Sequence, residues 1–476
     1  MSANDGGLVL RSRQGRGVLA ATILGSGMAM LDGTVVGVAL PRIGSDLGAG
    51  LTALQWTVNA YTLSLAGLLL LGGSLGDHLG RRRVYVIGIV WFTIASIGCA
   101  VAPNVGVLIG MRLLQGVGAA LLTPGSLAIL EAVFRREDRA AAVGSWSGLG
   151  GIATAIGPVV GGVLVGVAPW GWRLIFLINI PLAVIVIWLA GRHIPETRDD
   201  EADPHYDVRG VLLAAAGLGL TVYALTEGAS RQWPSVLVVL LVAGVVLLAG
   251  FVLVEARGRH PMMPLSLFRE RQFTAANVVT FVVYGALGGA LFLIPVQLQR
   301  VSGFTPVAAG SALLPVTVIM LLLSARAGRL ATRIGPRVPM TVGPIAAGIG
   351  LVLLLRVDID ASYWADVLPA VIVFGLGLAA TVAPLTATAL ASAPPRQVGI
   401  ASAVNNDIAR VAGLLAVAVL PGLAGITPVA YDRPSELSAG FHHAMLISSG
   451  LCVLGGLLAL VLVAGREQSP VTPAQL

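Results

Sequence analysis

Apolar runs of about twenty residues recur from one end of this 476-residue chain to the other, the length an α-helix needs to cross a hydrocarbon core of roughly 30 Å. Inside hydrocarbon a backbone must satisfy its own hydrogen bonds, so each run is expected to be a helix. Fourteen such spans are expected, at 17–41, 53–75, 84–102, 105–130, 140–167, 174–190, 209–227, 235–254, 273–297, 306–327, 338–355, 364–390, 398–422 and 441–464. The chain is 56% hydrophobic and only 11% charged, too little charge to solvate a soluble protein of this length. The class is therefore an all-α, multi-pass membrane protein. Its 61 glycines suit helices that pack closely in lipid.

Arginine sets the expected topology. All 30 basic residues are arginine. With the N-terminus inside, 22 fall in inner segments, among them Arg11, Arg13, Arg16, Arg135, Arg136, Arg139, Arg259, Arg396 and Arg466. Six fall in outer ones: Arg42, Arg173, Arg231, Arg300, Arg356 and Arg433. The positive-inside rule then places both termini in the cytoplasm. The net charge of +7 is read as this topological bias, not as a sign of a nucleic-acid partner. Arg11–Arg16 before the first run resemble a signal peptide, but no persuasive cleavage site follows and an uncleaved first helix is expected. Cys99 and Cys452 fall within apolar runs and imply neither a disulfide nor a metal site.

An internal repeat divides the chain. Gly73–Arg82 (GSLGDHLGRR) and Gly328–Arg337 (GRLATRIGPR) share Gly-x-Leu-x-x-x-[Leu/Ile]-Gly-x-Arg, after the second and tenth spans. Repeated halves are how many secondary transporters are built, with the substrate site between them. The expected division is a tail 1–16, a six-helix bundle 17–190, linkers and two additional helices 191–272, a second bundle 273–464, and a tail 465–476.

Charges inside the spans are the candidates for chemistry, because an intramembrane ionisable group is costly unless it is used or paired. Asp32 and Arg112 lie at comparable depth on spans one and four. Burial favours a neutral aspartate and a guanidinium favours an ionised one, so a carboxylate balanced between them can load and release a proton. A fixed ion pair holding the two helices is the other reading. Asp407 and Arg410 are three residues apart and share a helix face, so a local pair is the simpler expectation for them and a second proton site the alternative. Glu227 and Glu131 sit at span ends, where solvation and interfacial anchoring are expected. Adjacent His442 and His443 are read as interfacial. Aromatic and polar residues expected to face a central cavity are Asn59, Tyr61, Gln115, Tyr284, Gln297, Asn405 and Asn406. No GxxxxGK[ST] loop is possible without lysine, so ATP-driven transport finds no support. No metal-ligand or Ser/His/Asp spacing emerges, and neither an enzyme activity nor a cofactor is expected.

Seven motifs occur in register: LDGTVVGVALP, GSLGDHLGRRR, RLLQGVGAA, GPVVGG, WRLIFLINIP, PETR and GIASAVNN. Together they resemble the fourteen-helix drug:proton antiporters of the major facilitator superfamily, the EmrB/QacA type. The resemblance implies two six-helix bundles plus two extra transmembrane helices and a plasma-membrane multidrug exporter driven by the proton gradient. It implies small-molecule substrates. A monomer is expected because each chain already holds both halves of a transport path. Asp32 and Arg112 would couple the proton. Gly73, Asp77, Gly80, Arg81 and Arg82 would form the gating loop, and Gly157, Pro158, Gly161 and Gly162 the antiporter motif that marks exporters. Gly37 stands where the family usually has asparagine, and Asp407 where small or neutral residues are common. A narrow exporter of one metabolite, a proton-coupled importer and a non-transporting sensor or scaffold are the rival readings.

Overall fold

The computed structural model describes residues 7–198, 207–258, 262–394 and 397–465. Parts of both tails and both linkers, with Arg259, Arg396 and Arg466 of the topology argument, lie outside the described residues. Among the described residues fourteen helices are long and apolar enough to cross a bilayer. They are α1 (Arg13–Leu47), α2 (Leu51–Leu79), α3 (Arg81–Ala100), α4 (Val105–Val133), α5 (Arg136–Gly166), α6 (Gly171–His193), α7 (Val208–Ser230), α8 (Ser235–Arg257), α9 (Arg271–Arg300), α10 (Pro306–Ile334), α11 (Arg337–Arg356), α12 (Tyr363–Ala391), α13 (Val398–Leu423) and α14 (Pro434–Leu462). The only β feature described is an isolated bridge between Leu8 and Phe134.

The helices outrun their apolar stretches. At 1.5 Å per residue the 35-residue α1 is about 52 Å long, well beyond a hydrocarbon core. Capping fixes its ends: Ser12 Oγ accepts from Gly15 N at 2.9 Å, and Gly48 closes it at φ 61°. Hydropathy does not register such polar ends, which is why α1 and α14 start earlier than the apolar runs at 17 and 441. The repeat is also visible in the backbone. Gly80 (φ 106°) and Gly335 (φ 89°) occupy the same junction in the two copies, α2 to α3 and α10 to α11, in conformations that disfavour a side chain.

Helices α1–α6 form one six-helix bundle and α9–α14 the other; α7 and α8 pack on each other, and α7 lies against α2 and α13. Leu218 and Val222 of α7 share a small apolar core with Leu414 and Ala418 of α13, flanked by Trp56 and Leu63 of α2. The extra hairpin thus covers one side of the seam between the bundles. Glu227, expected to be solvated, instead accepts from Trp56 Nε1 at 3.0 Å and pairs with Arg231 at 2.8 Å, tying α7 to α2.

The seam is closed at the end remote from the chain termini. There the apolar core runs unbroken from Val35, Ile43 and Trp172 of the first bundle to Phe292 and Leu420 of the second. Toward the terminal end the first bundle keeps a separate core around Val18, Tyr85 and Phe134. Gln299 Nε2 donates to Val38 O at 2.9 Å and Gln55 Nε2 to Val417 O at 2.6 Å across the closed end. Glycine permits the approach of α5 to α10. A Cβ at Gly162 would lie 2.6 Å from Pro306 O, and one at Gly310 would lie 2.1 Å from Pro158 O. Gly144, Gly148 and Gly151, nearer the terminal end of α5, face open space.

Gly162→Val and Gly310→Val should each pry the remote end apart. The expected outcome is a several-fold lower yield of short bismaleimide cross-linking between Val38→Cys and Gln299→Cys; an unchanged yield would mean that these glycines do not set the closure.

Candidate functional site

Asp32 and Arg112 meet inside the first bundle, 0% and 1% exposed. Arg112 Nη1 donates to Asp32 Oδ2. Asp32 Oδ1 accepts from Gln115 Nε2 at 2.8 Å and, at 3.4 Å, from Asn179 Nδ2. Arg112 Nη1 also reaches Gln115 Oε1 at 2.7 Å, and Arg112 Nε donates to the backbone oxygen of Thr57 at 3.1 Å. Ser96 Oγ accepts from Gln115 and Asn179 at 2.8 and 3.2 Å. The Tyr61 ring lies under the guanidinium at 4.4 Å, a cation–π geometry, while its hydroxyl donates to Ala29 O. One carboxylate thus draws on α1, α2, α3, α4 and α6. Removing one partner of such a pair leaves an uncompensated charge in low dielectric.

The chain's own geometry brings this cluster together. Arg112 and Gln115 are three apart and share a face of α4. Gly116 lets α4 approach α2 there, since a Cβ would fall 2.0 Å from Ser64 Oγ. With α1 running to Leu47, Asp32 lies near mid-helix, deeper than its distance from the end of the apolar run predicts.

One wall away, at the seam, is a cavity of about 290 Å³. Residues next to Asp32 in sequence, Gly33 and Thr34, line it, with Asn59, Phe292 and Val417 on other sides. Gly37 also lines it and would meet nothing within 4 Å if it bore a Cβ, so the departure from the usual asparagine enlarges the cavity. Arg410 is the one charged residue in the described lining. Asn59 is fully buried with neither amide atom partnered, and Arg410 Nε is also unpartnered. A mainly apolar space with a few unspent polar groups is the usual form of a small-molecule site.

Of the residues expected in the cavity, only Asn59 lines it. Tyr61 and Gln115 belong to the Asp32 cluster. Asn405 holds α13 to α9 through Asn277 and Thr280, at 2.9 and 3.0 Å. Gln297 binds Val357 O and Ser438 Oγ, both at 3.1 Å. Tyr284 packs against the second bundle's core, and Asn406 is exposed, bonded to Ser402 O. Gln115, Gln297 and Asn405 bond to other segments of the chain instead of facing the cavity, and Asn406 bonds back to its own helix, distinctions that polarity in a span does not make. The expected Asp407–Arg410 pair does not form: Arg410 faces the central cavity and Asp407 another. Sequence reasoning missed Asn179 and Ser96; their only signal was polarity within apolar runs.

The loop after α2 is ordered by its own bundle. Asp77 pairs with Arg81 at 2.8 Å, Arg82 N donates to Glu196 Oε1 at 3.0 Å, and Arg81 N to Thr197 O at 2.8 Å. The PETR segment therefore lies along the GSLGDHLGRRR motif. In the second copy Thr332 is exposed and bonds only back to Arg329 O. In GPVVGG, Gly157 and Gly161 seat α5 against Thr34 and Val35 of α1, and Pro158 lines the cavity. Among the described residues no group of three His, Cys, Asp or Glu side chains is placed to hold a metal ion.

Two repeated bundles with a cavity at their seam make the architecture of a secondary transporter. The chain belongs to the Major Facilitator Superfamily, whose family model matches residues 22–418. It is 37% identical over 404 residues to the multidrug resistance protein Stp of Mycobacterium tuberculosis, covering 84% of this chain and 74% of that protein. It is 35% identical to the puromycin resistance protein pur8 of Streptomyces alboniger, over 96% and 94% of the two chains. To the methylenomycin A resistance protein of Bacillus subtilis it is 34% identical, over 96% of each. The fold matches a bacterial homologue of the human lysosomal transporter Spinster in an inward-facing, unoccupied conformation, with TM-score 0.67, 17% identity, and 95% and 97% of the chains covered. It also matches a peptide transporter, POT, in complex with sulfate, with TM-score 0.68, 15% identity, and 96% of each chain covered.

Asp32→Asn and Arg112→Gln should each destabilise the protein by about 3–5 kcal/mol, the usual cost of orphaning one member of a buried pair. The double variant should lose clearly less than the sum. Thermal unfolding in detergent checks this; additive losses would mean that the two charges do not depend on each other.

Proposed function

We propose that this protein is a proton-coupled exporter of lipophilic compounds in the plasma membrane, with both termini cytoplasmic. The observation that carries the reading is the apolar cavity at the seam, shut at the end remote from the termini, with the buried Asp32 directly behind its wall. In this topology the cavity faces the cytoplasm, from which it takes substrate. Rocking of the bundles then exposes it outward.

The proton's part follows from the pair. An ionised Asp32 holds Arg112, Gln115 and Asn179 together across the helices of one bundle. A proton delivered from outside removes the charge that Arg112 neutralises. The guanidinium keeps its own charge and must find other acceptors, with Gln115 Oε1 and Thr57 O already in reach. Because Gly33 and Thr34 adjoin Asp32 and line the cavity, a shift at the pair is felt by bound substrate. Gly73, Asp77, Gly80, Arg81 and Arg82 are assigned to the latch between the two open forms, and Gly157–Gly162 to the outer closure. The lone Arg410 favours neutral compounds over cations in the central cavity itself.

Narrow export of one antibiotic is the second reading, favoured by full-length relatives whose names carry single compounds, puromycin and methylenomycin A. A panel of unrelated drugs separates the two, since a narrow exporter protects against one chemical type.

In inside-out vesicles, a transported compound should collapse a preformed pH gradient with the wild type. With Asp32→Asn the rate should fall by about a hundred-fold, the low end of what a positioned proton-transfer group contributes. Equal collapse in both would remove Asp32 from coupling.

A further inference from the structure

A second cavity, of about 280 Å³, lies on the flank of the bundle, where α7, α8, Met262 and Met263 cover the seam between α2 and α13. Gly67 of α2, Gly210 of α7, Phe251 of α8 and Met263 of the linker contribute to its walls, which places it toward the terminal end. It is distinct from the central cavity, with no residue common to the two linings. Asp407 of α13 is the one charged residue in its described lining, and Asp407 Oδ1 has no hydrogen-bond partner. A second acid stands behind the wall. Glu255, 2% exposed, accepts from Met263 N at 3.0 Å through Oε2, and its side chain stands against the Asp207 carboxyl group, so that Oε1 faces this neighbour. That oxygen lies 2.9 Å from where a Cβ at Gly210 would be.

The rest of the lining suits an organic cation. Phe251 and Phe281 bring aromatic rings to the lining, Phe281 at 44% exposure, and Met262 and Met263 are polarizable and adaptable in shape. One helix separates opposite charges: α13 turns Asp407 to the flank and, three residues on, Arg410 to the centre. An apolar compartment with an unpaired carboxylate attracts a charge of opposite sign most strongly when that charge's own hydration is weak.

We propose that the flank cavity is a binding site for lipophilic monocations, with Asp407 as their counter-charge, separate from the central cavity. The extra α7–α8 hairpin then has a task beyond covering the seam: it builds a cationic subsite in a protein whose central cavity carries a guanidinium. The inference concerns binding at equilibrium and stands whether or not the export reading holds.

The test uses the full chain in lipid nanodiscs, radiolabelled tetraphenylphosphonium as probe, and the neutral triphenylphosphine oxide as control. Wild type should bind the cation. Asp407→Asn should bind it about ten-fold more weakly, as expected for loss of a desolvated counter-charge, with the neutral control unchanged and Asp407→Glu restoring affinity. Val411→Trp, which fills the cavity without touching a charge, should weaken cation binding as well. In Met263→Cys, tetraphenylphosphonium should slow maleimide labelling at position 263, a readout of place that a folding defect does not mimic. No binding by the wild type, equal affinity in Asp407→Asn, or binding without protection at position 263 would each overturn the proposal.

Discussion

The architecture turns on one costly arrangement, a carboxylate and a guanidinium buried together in the middle of a helical bundle. Neither Asp32 nor Arg112 tolerates isolation in a low-dielectric interior, so each requires the other and the amides around them. Satisfying that requirement recruits five helices of the first bundle and fixes their mutual depth. Ser96, Asn179 and the backbone of Thr57 matter for the same reason. Among the described residues the second bundle has no counterpart of this buried pair. Asn405 with Asn277, and Gln297 with Ser438, supply neutral links between its helices. The charges of the second bundle's α13, Asp407 and Arg410, instead face two different cavities.

Movement needs a seam that can both close and part. At the remote end closure rests on backbone approach, with Gly162 and Gly310 at the contact. These contacts, with the hydrogen bonds of Gln299 to Val38 O and Gln55 to Val417 O, carry no desolvated charge, so separating them is inexpensive compared with breaking the buried pair. At the terminal end the ion pairs of Asp77, Arg81, Arg82 and Glu196 stay within the first bundle. The α7–α8 hairpin leans on both bundles at α2 and α13. Its position explains how two helices beyond the repeated twelve can be added without disturbing the central path.

Much of this was legible in the amino-acid sequence, because bilayer thickness acts on every span alike. Fourteen apolar runs and the repeated glycine-rich loop report constraints that are local and periodic. Asp32 and Arg112 stood out because charge within an apolar run is rare. The cavity lining was far less legible. Asn405 and Gln297 are as polar and as deeply placed as Asn59, yet they face neighbouring helices; which way a side chain points depends on rotations of whole helices that hydropathy does not encode. Arg410 and Asp407 share a face by spacing, but two cavities on either side of α13 pull them apart. Glu227 looked like a solvated end residue because its partner, Trp56, is far away in the chain.

The central claim is that charge on Asp32 governs which end of the seam is open. It is tested most directly by pulsed electron resonance between spin labels at Leu79→Cys and Leu330→Cys, exposed positions on the terminal ends of α2 and α10. The native Cys99 and Cys452 are buried and do not compete for label. The account predicts a distance distribution that shifts between acidic and alkaline buffer in the wild type and is insensitive to pH in Asp32→Asn. The same pH-dependent shift in both proteins would contradict it.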